Sequence, residues 1–127
     1  MRRRLIVSLV ILLFVGAVGG STEAYNTSMV RRYKNELLLT ADAVSREDWA
    51  AASRSVENLS LRWEKECSWV QLWVNHAETD AVSRSLQGLL TALGQRDLLS
   101  VRLYYGECVE NFAHLHHRDA FTLKNIL

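Results

Sequence analysis

The sequence predicts an all-α protein, in which an N-terminal transmembrane helix precedes a small up-down bundle of about four helices, arranged as two helical hairpins. Three observations lead to this prediction. The chain of 127 residues contains no proline, and helices joined by turns do not require one. Apolar residues recur at every third or fourth position in several stretches, as they do in amphipathic helices. An uncharged apolar run precedes all of these stretches.

The N-terminal segment combines a basic flank with an apolar run. Three arginines at positions 2–4 precede residues 5–20, where no residue is charged and only Ser8 is polar. This pattern is typical of an export signal whose arginines remain in the cytoplasm. We therefore predict that residues 1–22 form a single-pass anchor in the cell membrane. Residues 23–127 would then form an extracytoplasmic helical domain.

A cleaved signal peptide is the alternative to an anchor. The apolar run of sixteen residues is shorter than the roughly 20 residues of a typical membrane-spanning helix. Ala17-Val18-Gly19 has the small side chains of a cleavage site. Because residues 21 and 22 are small and uncharged and can extend the run, the sequence favours the anchor.

The longest amphipathic pattern runs from Asp48 to Val74 and predicts helix 2. Its apolar positions follow helical spacing: Trp49, Ala52, Val56, Leu59, Trp63, Cys67, Val70 and Trp73. The opposite face is charged. A second apolar strip of Leu61, Trp69 and Leu72 is expected to widen the buried face toward the C-terminal half.

Three further helices have apolar seams of the same kind. In helix 1, which no strong breaker separates from the anchor, the seam is Val30, Tyr33, Leu37, Ala41 and Val44. In helix 3 it is Val82, Leu86, Leu89, Leu90 and Leu93. In helix 4 it is Leu98, Val101, Tyr105, Cys108, Phe112 and Leu115. Short connections between such helices favour antiparallel neighbours.

The ends of these helices are predicted from capping residues. Ser45 is expected to be the N-cap of helix 2 after a tight turn, with an acidic residue three positions later. Thr79 or Asp80 is expected to cap helix 3 and Gly94 to end it, and Asp97 is expected to open helix 4.

The two hairpins also correspond to each other at an offset of 49 residues. Asp48 corresponds to Asp97, and Trp63 corresponds to Phe112. Two copies are too few for a solenoid, and any two amphipathic hairpins align in a similar way. Internal duplication therefore remains one of two explanations.

The C-terminal residues of the sequence are more apolar than is usual for a free chain end. Phe121, Leu123, Ile126 and Leu127 follow Arg118 within a short tail. We expect this tail to fold back onto the bundle, because a free apolar end is unfavourable in water.

Three stretches resemble a known family: residues 47–49, the region 63–69 leading to 76–80, and the ending 122–127, Thr-Leu-Lys-Asn-Ile-Leu. They resemble a bacterial family of short proteins with a domain of unknown function. Its members carry an N-terminal membrane anchor and a helical domain. The family often has proline two residues after a histidine before the tail, whereas His114 is followed by leucine and histidine. The resemblance implies an architecture and carries no activity.

Charge and motifs exclude some functions. Without the three N-terminal arginines, the chain has 12 basic residues (15 minus 3) against 14 acidic ones, which is not the charge pattern of a nucleic-acid-binding protein. The sequence has no phosphate-binding glycine loop and no serine nucleophile elbow. We therefore predict a non-enzymatic protein without a cofactor.

Histidines and acidic residues supply an alternative hypothesis. His114 and His117 share a helix face by their spacing, and His76 and Glu78 would lie at the same end of an up-down bundle. These four side chains could form a metal or small-ligand site if they converge. Histidine near a helix C-terminus is also favoured by the helix dipole alone, so no metal is our first expectation.

Cys67 and Cys108 are the two thiols. In a bundle of this topology they differ by about 12 Å along the helix axis, which is too far for a disulfide. We expect both to be buried and free.

The first expectation for the whole protein is a module of the bacterial cell envelope that binds the membrane through residues 5–20 and also binds another protein. The sequence leaves the oligomeric state open.

Overall fold

The computed structural model describes the backbone of residues 1–124 and the side chains of residues 1–115. Four α-helices follow one another: α1 is Arg2–Ser45, α2 is Trp49–Val70, α3 is His76–Gln95 and α4 is Leu98–Lys124. The described backbone contains no strand. The prediction of an all-α protein, with a long apolar N-terminal helix and a small bundle, is confirmed.

The predicted anchor and helix 1 form one continuous helix of 44 residues. Residues 2–22 of α1, here called the extension, project from the bundle with most of their side chains exposed. The burial of side chains begins at Asn26 and continues through Met29, Tyr33, Leu37 and Thr40. This spacing places one face of α1 against the bundle, while the extension is largely uncovered and meets the bundle at a shallow pocket that Trp73 lines with Val18 and Thr22.

Each helix packs against two others, in the cyclic order α1, α2, α3, α4 and back to α1. The connections are short, and cross-helix pairs show that α1 and α2 are antiparallel. Arg32 pairs with Glu66, and Glu36 pairs with Arg62. Farther from the extension, the hydroxyl of Thr40 lies 3.0 Å from that of Ser55.

The bundle therefore has two different ends. The extension end contains the entry of α1 and the turn between α2 and α3, residues 71–75. The distal end contains the turn between α1 and α2, residues 46–48, and the turn between α3 and α4, residues 96–97.

Three aromatic rings from three helices meet in the core. Tyr33 of α1 stacks on Phe112 of α4, with ring centroids 4.7 Å apart. Trp63 of α2 contacts both rings edge-on, at 5.9 Å from Tyr33 and 5.4 Å from Phe112. The indole N–H of Trp63 donates to the hydroxyl of Ser83 on α3, at 2.9 Å. Trp63 thus contacts all three other helices, and its indole N–H has a hydrogen-bond acceptor.

The two distal turns have the same geometry. Glu47 and Arg96 both adopt a left-handed conformation, with φ of 57° and 55°. The N–H of Asp48 donates to the carbonyl of Ala43, and the N–H of Asp97 donates to the corresponding carbonyl of the other hairpin. Both turns are Schellman motifs. The 49-residue correspondence in the sequence thus extends to backbone conformation and hydrogen bonding.

The structure corrects the predicted helix caps. Ser45 is the last residue of α1, and Asp48 is the N-cap of α2, where its carboxylate accepts from the N–H of Ala51. Asn75, rather than Thr79 or Asp80, caps α3. Both true caps directly precede the first helical residue, where the side chain can reach the free N–H groups of the first turn.

The end of α3 is also corrected. This helix continues through Gly94 to Gln95 and ends at Arg96 in the left-handed conformation that glycine usually supplies. Asp97 does precede α4 as expected, and its carboxylate accepts from the N–H of Leu99 and from the hydroxyl of Ser100.

The predicted second apolar strip of α2 is not buried. Leu61, Trp69 and Leu72 are all exposed. Since α2 contacts α1 and α3 but not α4 along its backbone, two neighbours cover the main seam and leave this strip uncovered. Leu98, which was predicted on the buried seam of α4, is also exposed, because it lies in the first turn of the helix at the distal end.

The predicted tail does not begin at Arg118, because α4 continues as a helix to Lys124. The contacts of Phe121, Leu123, Ile126 and Leu127 lie outside the described side chains. Their predicted packing onto the bundle stays a prediction.

Candidate functional site

The proposed metal ligands lie on two helices. His76 is the first residue of α3 and is exposed, Glu78 is half-buried in the same first turn, and His114 is exposed on α4. The side chain of His117 is outside the described part. Among the described residues, no three histidine, cysteine, aspartate or glutamate side chains are grouped as a metal site requires. Convergence of all four residues stays an untested alternative to our first expectation that they hold no metal.

Both cysteines are free thiols. Cys108 is fully buried on α4, whereas Cys67 is only half-buried on α2, which differs from the expectation that both are buried. Burial raises the pKa of Cys108 to about 11. Its sulfur therefore remains protonated at neutral pH, and the thiol form is a poor nucleophile.

A polar cluster joins α1 to α2 in the half of the bundle near the extension. The hydroxyl of Tyr33 donates to Glu66 Oε2 at 2.5 Å, and Arg32 donates to the other oxygen of the same carboxylate. Burial raises the pKa of Tyr33 well above its ordinary value, and the neighbouring Glu66 carboxylate acts in the same direction. Tyr33 is thus a neutral donor at physiological pH, and the cluster links helices through satisfied hydrogen bonds.

A second contact fixes the turn at the extension end against α1. The indole N–H of Trp73 donates to Oδ1 of the buried Asn26 at 3.1 Å. The ring of Tyr25 contacts the Trp73 ring edge-on at 5.9 Å. Trp73 therefore holds residues 71–75 beside the point where α1 enters the bundle.

The surface of the same end is apolar. Leu72 is 72% exposed and Trp69 is 66% exposed. No residue of the turn at 71–75 is charged, whereas residues 46–48 of the first distal turn are Arg-Glu-Asp and residues 96–97 of the second are Arg-Asp. Large exposed apolar side chains beside an apolar helix mark a surface for a non-aqueous or protein environment.

The extension itself has the length and composition of a membrane-spanning segment. The apolar part of α1 is long enough to cross a bilayer, and none of it is buried inside the structure. The exposed side chains include Leu9, Ile11, Leu13 and Phe14. The exposed turn with Leu72 therefore lies next to the most apolar surface of the described chain.

A groove of about 430 Å³ lies at the distal end, between α1 and α4. Trp49, Val44, Leu98 and Tyr105 contribute apolar lining, and Arg102 is the basic residue of the lining. The groove joins the two hairpins at their outer ends, and its lining suits apolar groups better than ions.

The comparison with protein families gives one match. The model of a domain of unknown function (DUF4363) matches residues 23–126. The chain belongs to the DUF4363 family. The family resemblance inferred from the sequence is thereby confirmed at the level of a domain of unknown function. No curated protein and no solved structure matches the chain.

Sequence reasoning missed two features of this end of the DUF4363 domain. Asn26 was not predicted to be buried, since it is polar and precedes the apolar seam of helix 1. Trp69 and Leu72 were assigned, with Leu61, to a second buried strip of helix 2. Their positions were a usable signal, because both fall off the seam that Trp63 and Trp73 define.

Proposed function

We propose that this DUF4363 protein is a membrane-anchored, non-enzymatic module of the bacterial cell envelope, whose bundle lies outside the cytoplasm and binds another protein. The observation that carries the proposal is the extension, an uncovered apolar helix that continues without a break into α1 of the bundle. Because the helix is continuous, a bilayer around the extension would fix the position of the bundle relative to the membrane surface. The three arginines at positions 2–4 favour a cytoplasmic N-terminus.

The polar contacts between the helices support a structural role rather than a catalytic one. Tyr33, Glu66 and Arg32 bond to one another between α1 and α2, and Trp63 and Ser83 bond between α2 and α3. These groups hold neighbouring helices together. The thiol of Cys108 is buried and protonated, so it is unsuited to nucleophilic attack.

Exposed leucines on the bundle support a role in protein binding. Leu99 and Leu103 follow each other at one helical turn on α4, and both are more than half exposed. Leu38 and Leu39 of α1 are similarly exposed. Such residues form the apolar centres of many protein interfaces when a charged rim surrounds them.

The experiment that tests the anchoring is protease digestion of intact spheroplasts that express the full-length chain. We expect the protein to keep its N-terminal segment, to resist extraction at alkaline pH, and to lose its bundle to external protease. Release of a shortened protein into the soluble fraction would show that the segment is cleaved. Protection of the bundle until lysis would place it in the cytoplasm. Either result contradicts the proposal.

The experiment that tests partner binding is photo-crosslinking in native membranes. A crosslinker replaces Leu99 in one variant and the exposed Arg54 of α2 in a control variant. We expect one defined adduct with another protein from position 99 and none from position 54. Equal adducts from both positions, or none from either, would contradict a specific surface on α4.

A further inference from the structure

We infer that the extension end of the bundle rests on the lipid bilayer, with Leu72 in the interfacial layer and Trp69 just above it. This inference depends on the proposed membrane anchoring and deepens it. It assigns lipid, rather than a protein, as the material that covers the apolar surface beside the turn at residues 71–75.

The position of this surface along α1 follows from two contacts. Arg32 pairs with Glu66, and Asn26 accepts a hydrogen bond from Trp73. Because α1 and α2 are antiparallel, these contacts place the turn at residues 71–75 at the level of Asn26. The turn is therefore held at a fixed height above the apolar extension.

That height matches the thickness of the interfacial layer. Leu72 lies at the level of Asn26, and Trp69 lies at the level of Met29, which is three residues farther along α1. If the hydrocarbon region ends near Thr22, a rise of 1.5 Å per residue places Leu72 about 6 Å and Trp69 about 10 Å above it. The headgroup layer extends roughly 5–8 Å beyond the hydrocarbon on each side. Leu72 thus lies within this layer, and the backbone of Trp69 lies about 2 Å or more beyond its outer limit.

The side chains fit this environment. Tryptophan is enriched at the membrane–water interface because its ring is apolar and its N–H is polar. Trp69 is exposed. The partly exposed Tyr25 contacts the ring of Trp73 at the same end of the bundle. Together these rings form an aromatic belt around the point where the extension leaves the bundle.

The turn residues of the distal end are an internal control for the inference, although Leu98 and Leu99, which follow the second distal turn, are also exposed. The distal turns connect the same kind of helices, but their residues are charged and exposed, as residues 47, 48, 96 and 97 show. A bundle surrounded by water on both ends would be expected to have polar turns on both. The contrast is accounted for when one end faces water and the other faces lipid.

The test uses quenching of tryptophan fluorescence by brominated lipids. Full-length protein is reconstituted into phosphatidylcholine–phosphatidylglycerol vesicles, with or without bromine atoms near the top of the acyl chains. Trp69→Phe removes the exposed tryptophan of the extension end. Trp49→Phe is the matched control, because it is the same substitution in the same helix at the distal end. Circular dichroism verifies that both variants keep their helices.

We expect brominated lipid to quench about a quarter or more of the wild-type emission, because tryptophan rings near the membrane–water interface lie close to the bromine atoms. Trp69→Phe should reduce the quenched part, whereas Trp49→Phe should leave it unchanged. The quenching that remains in Trp69→Phe is expected from Trp73, which lines a pocket with Phe14 and Val18 of the extension. Leu72→Asn should also reduce the quenching, because it weakens the contact of the turn with the bilayer.

The outcomes separate the inference from the proposed function. A protein that does not float with the vesicles would overturn the anchoring and the inference together. A protein that floats, but in which Trp69→Phe and Trp49→Phe behave alike, would overturn the inference and leave the anchoring intact. Crosslinks from position 69 to a second copy or to another protein, combined with absent quenching, would replace lipid with that protein as the covering material.

Discussion

Both ends of this bundle contain short turns between helices, but the turns differ in chemistry. At the distal end, two Schellman turns present charged side chains and each contains a left-handed non-glycine residue, Glu47 or Arg96. At the extension end, an uncharged turn exposes Leu72, while Trp73 bonds to the buried Asn26. We infer from this contrast that each turn is adapted to the medium that it faces as well as to the chain reversal.

The largest effect is expected midway between the ends. Trp63→Ala removes the ring that contacts Tyr33 and Phe112, and we expect a loss of about 3–5 kcal/mol in the free energy of unfolding. Because the core joins both ends, they should unfold in one transition. Denaturant unfolding of the detergent-solubilised full-length protein measures the loss. A change below about 1 kcal/mol would show that Trp63 is not central to the core.

The next effect compares Trp49, the first residue of α2, with Trp73 in the turn that follows α2. Trp73→Ala removes a ring contact with Tyr25 and a hydrogen bond to the buried Asn26, and should cost about 2–4 kcal/mol. Trp49→Ala removes a half-buried ring at the distal end and should cost about 1–2 kcal/mol. The same unfolding measurement applies to both variants. Equal costs would mean that the hydrogen bond at the extension end adds no stability.

The polar pairing of α1 with α2 gives a prediction about pH. Burial raises the pKa of Tyr33 above its ordinary value of 10.0, so the folded protein keeps a proton that the unfolded chain loses. The resulting stability is complete below pH 10 and is lost as the pH rises above it. Tyr33→Phe should cost about 1–1.5 kcal/mol at neutral pH through the lost hydrogen bond, and should lack this alkaline loss.

The comparison of wild type with Tyr33→Phe isolates this residue. Cys108 also has a raised pKa, of about 11 against an ordinary 9.0, and destabilises both proteins as the pH rises above 9. The difference in stability between the two proteins should therefore stay constant up to pH 10 and shrink above it. Parallel curves up to pH 11.5 would contradict the burial of the Tyr33 hydroxyl.

The smallest effect concerns the distal turns alone. Glu47→Gly and Arg96→Gly relieve the same left-handed strain, which glycine tolerates, although glycine also adds freedom to the unfolded chain. We expect each variant to gain about 0.5 kcal/mol, and the two gains to be equal within about 0.3 kcal/mol. Effects of opposite sign would show that the matching backbone geometry of the two turns does not carry matching energetics.

Much of the bundle could be predicted from residue spacing. The seam positions Val56, Leu59 and Trp63 are buried as expected, because helical periodicity determines which residues share a face. The turns were harder to predict. Ser45 and Asp48 are both good N-caps, and only the backbone geometry of the turn shows which one reaches a free N–H.

The candidate site was less predictable for a different reason. The apolar strip that Trp69 and Leu72 form in helix 2 predicted their burial, but burial depends on how many helices surround α2. Periodicity does not report that number. Likewise, the pairing of Trp73 with Asn26 joins residues 47 positions apart, and no local pattern in the sequence indicates it.

The most direct test of the central claim, that the two ends face different media, is cysteine labelling with a membrane-impermeant maleimide. Glu47→Cys and Leu72→Cys are each made in a Cys67→Ser background, in which the remaining Cys108 is buried. In intact spheroplasts, position 47 should react rapidly and position 72 slowly, and detergent should make the two rates similar. Equal rates in the membrane, or no reaction at position 47 until lysis, would contradict the claim.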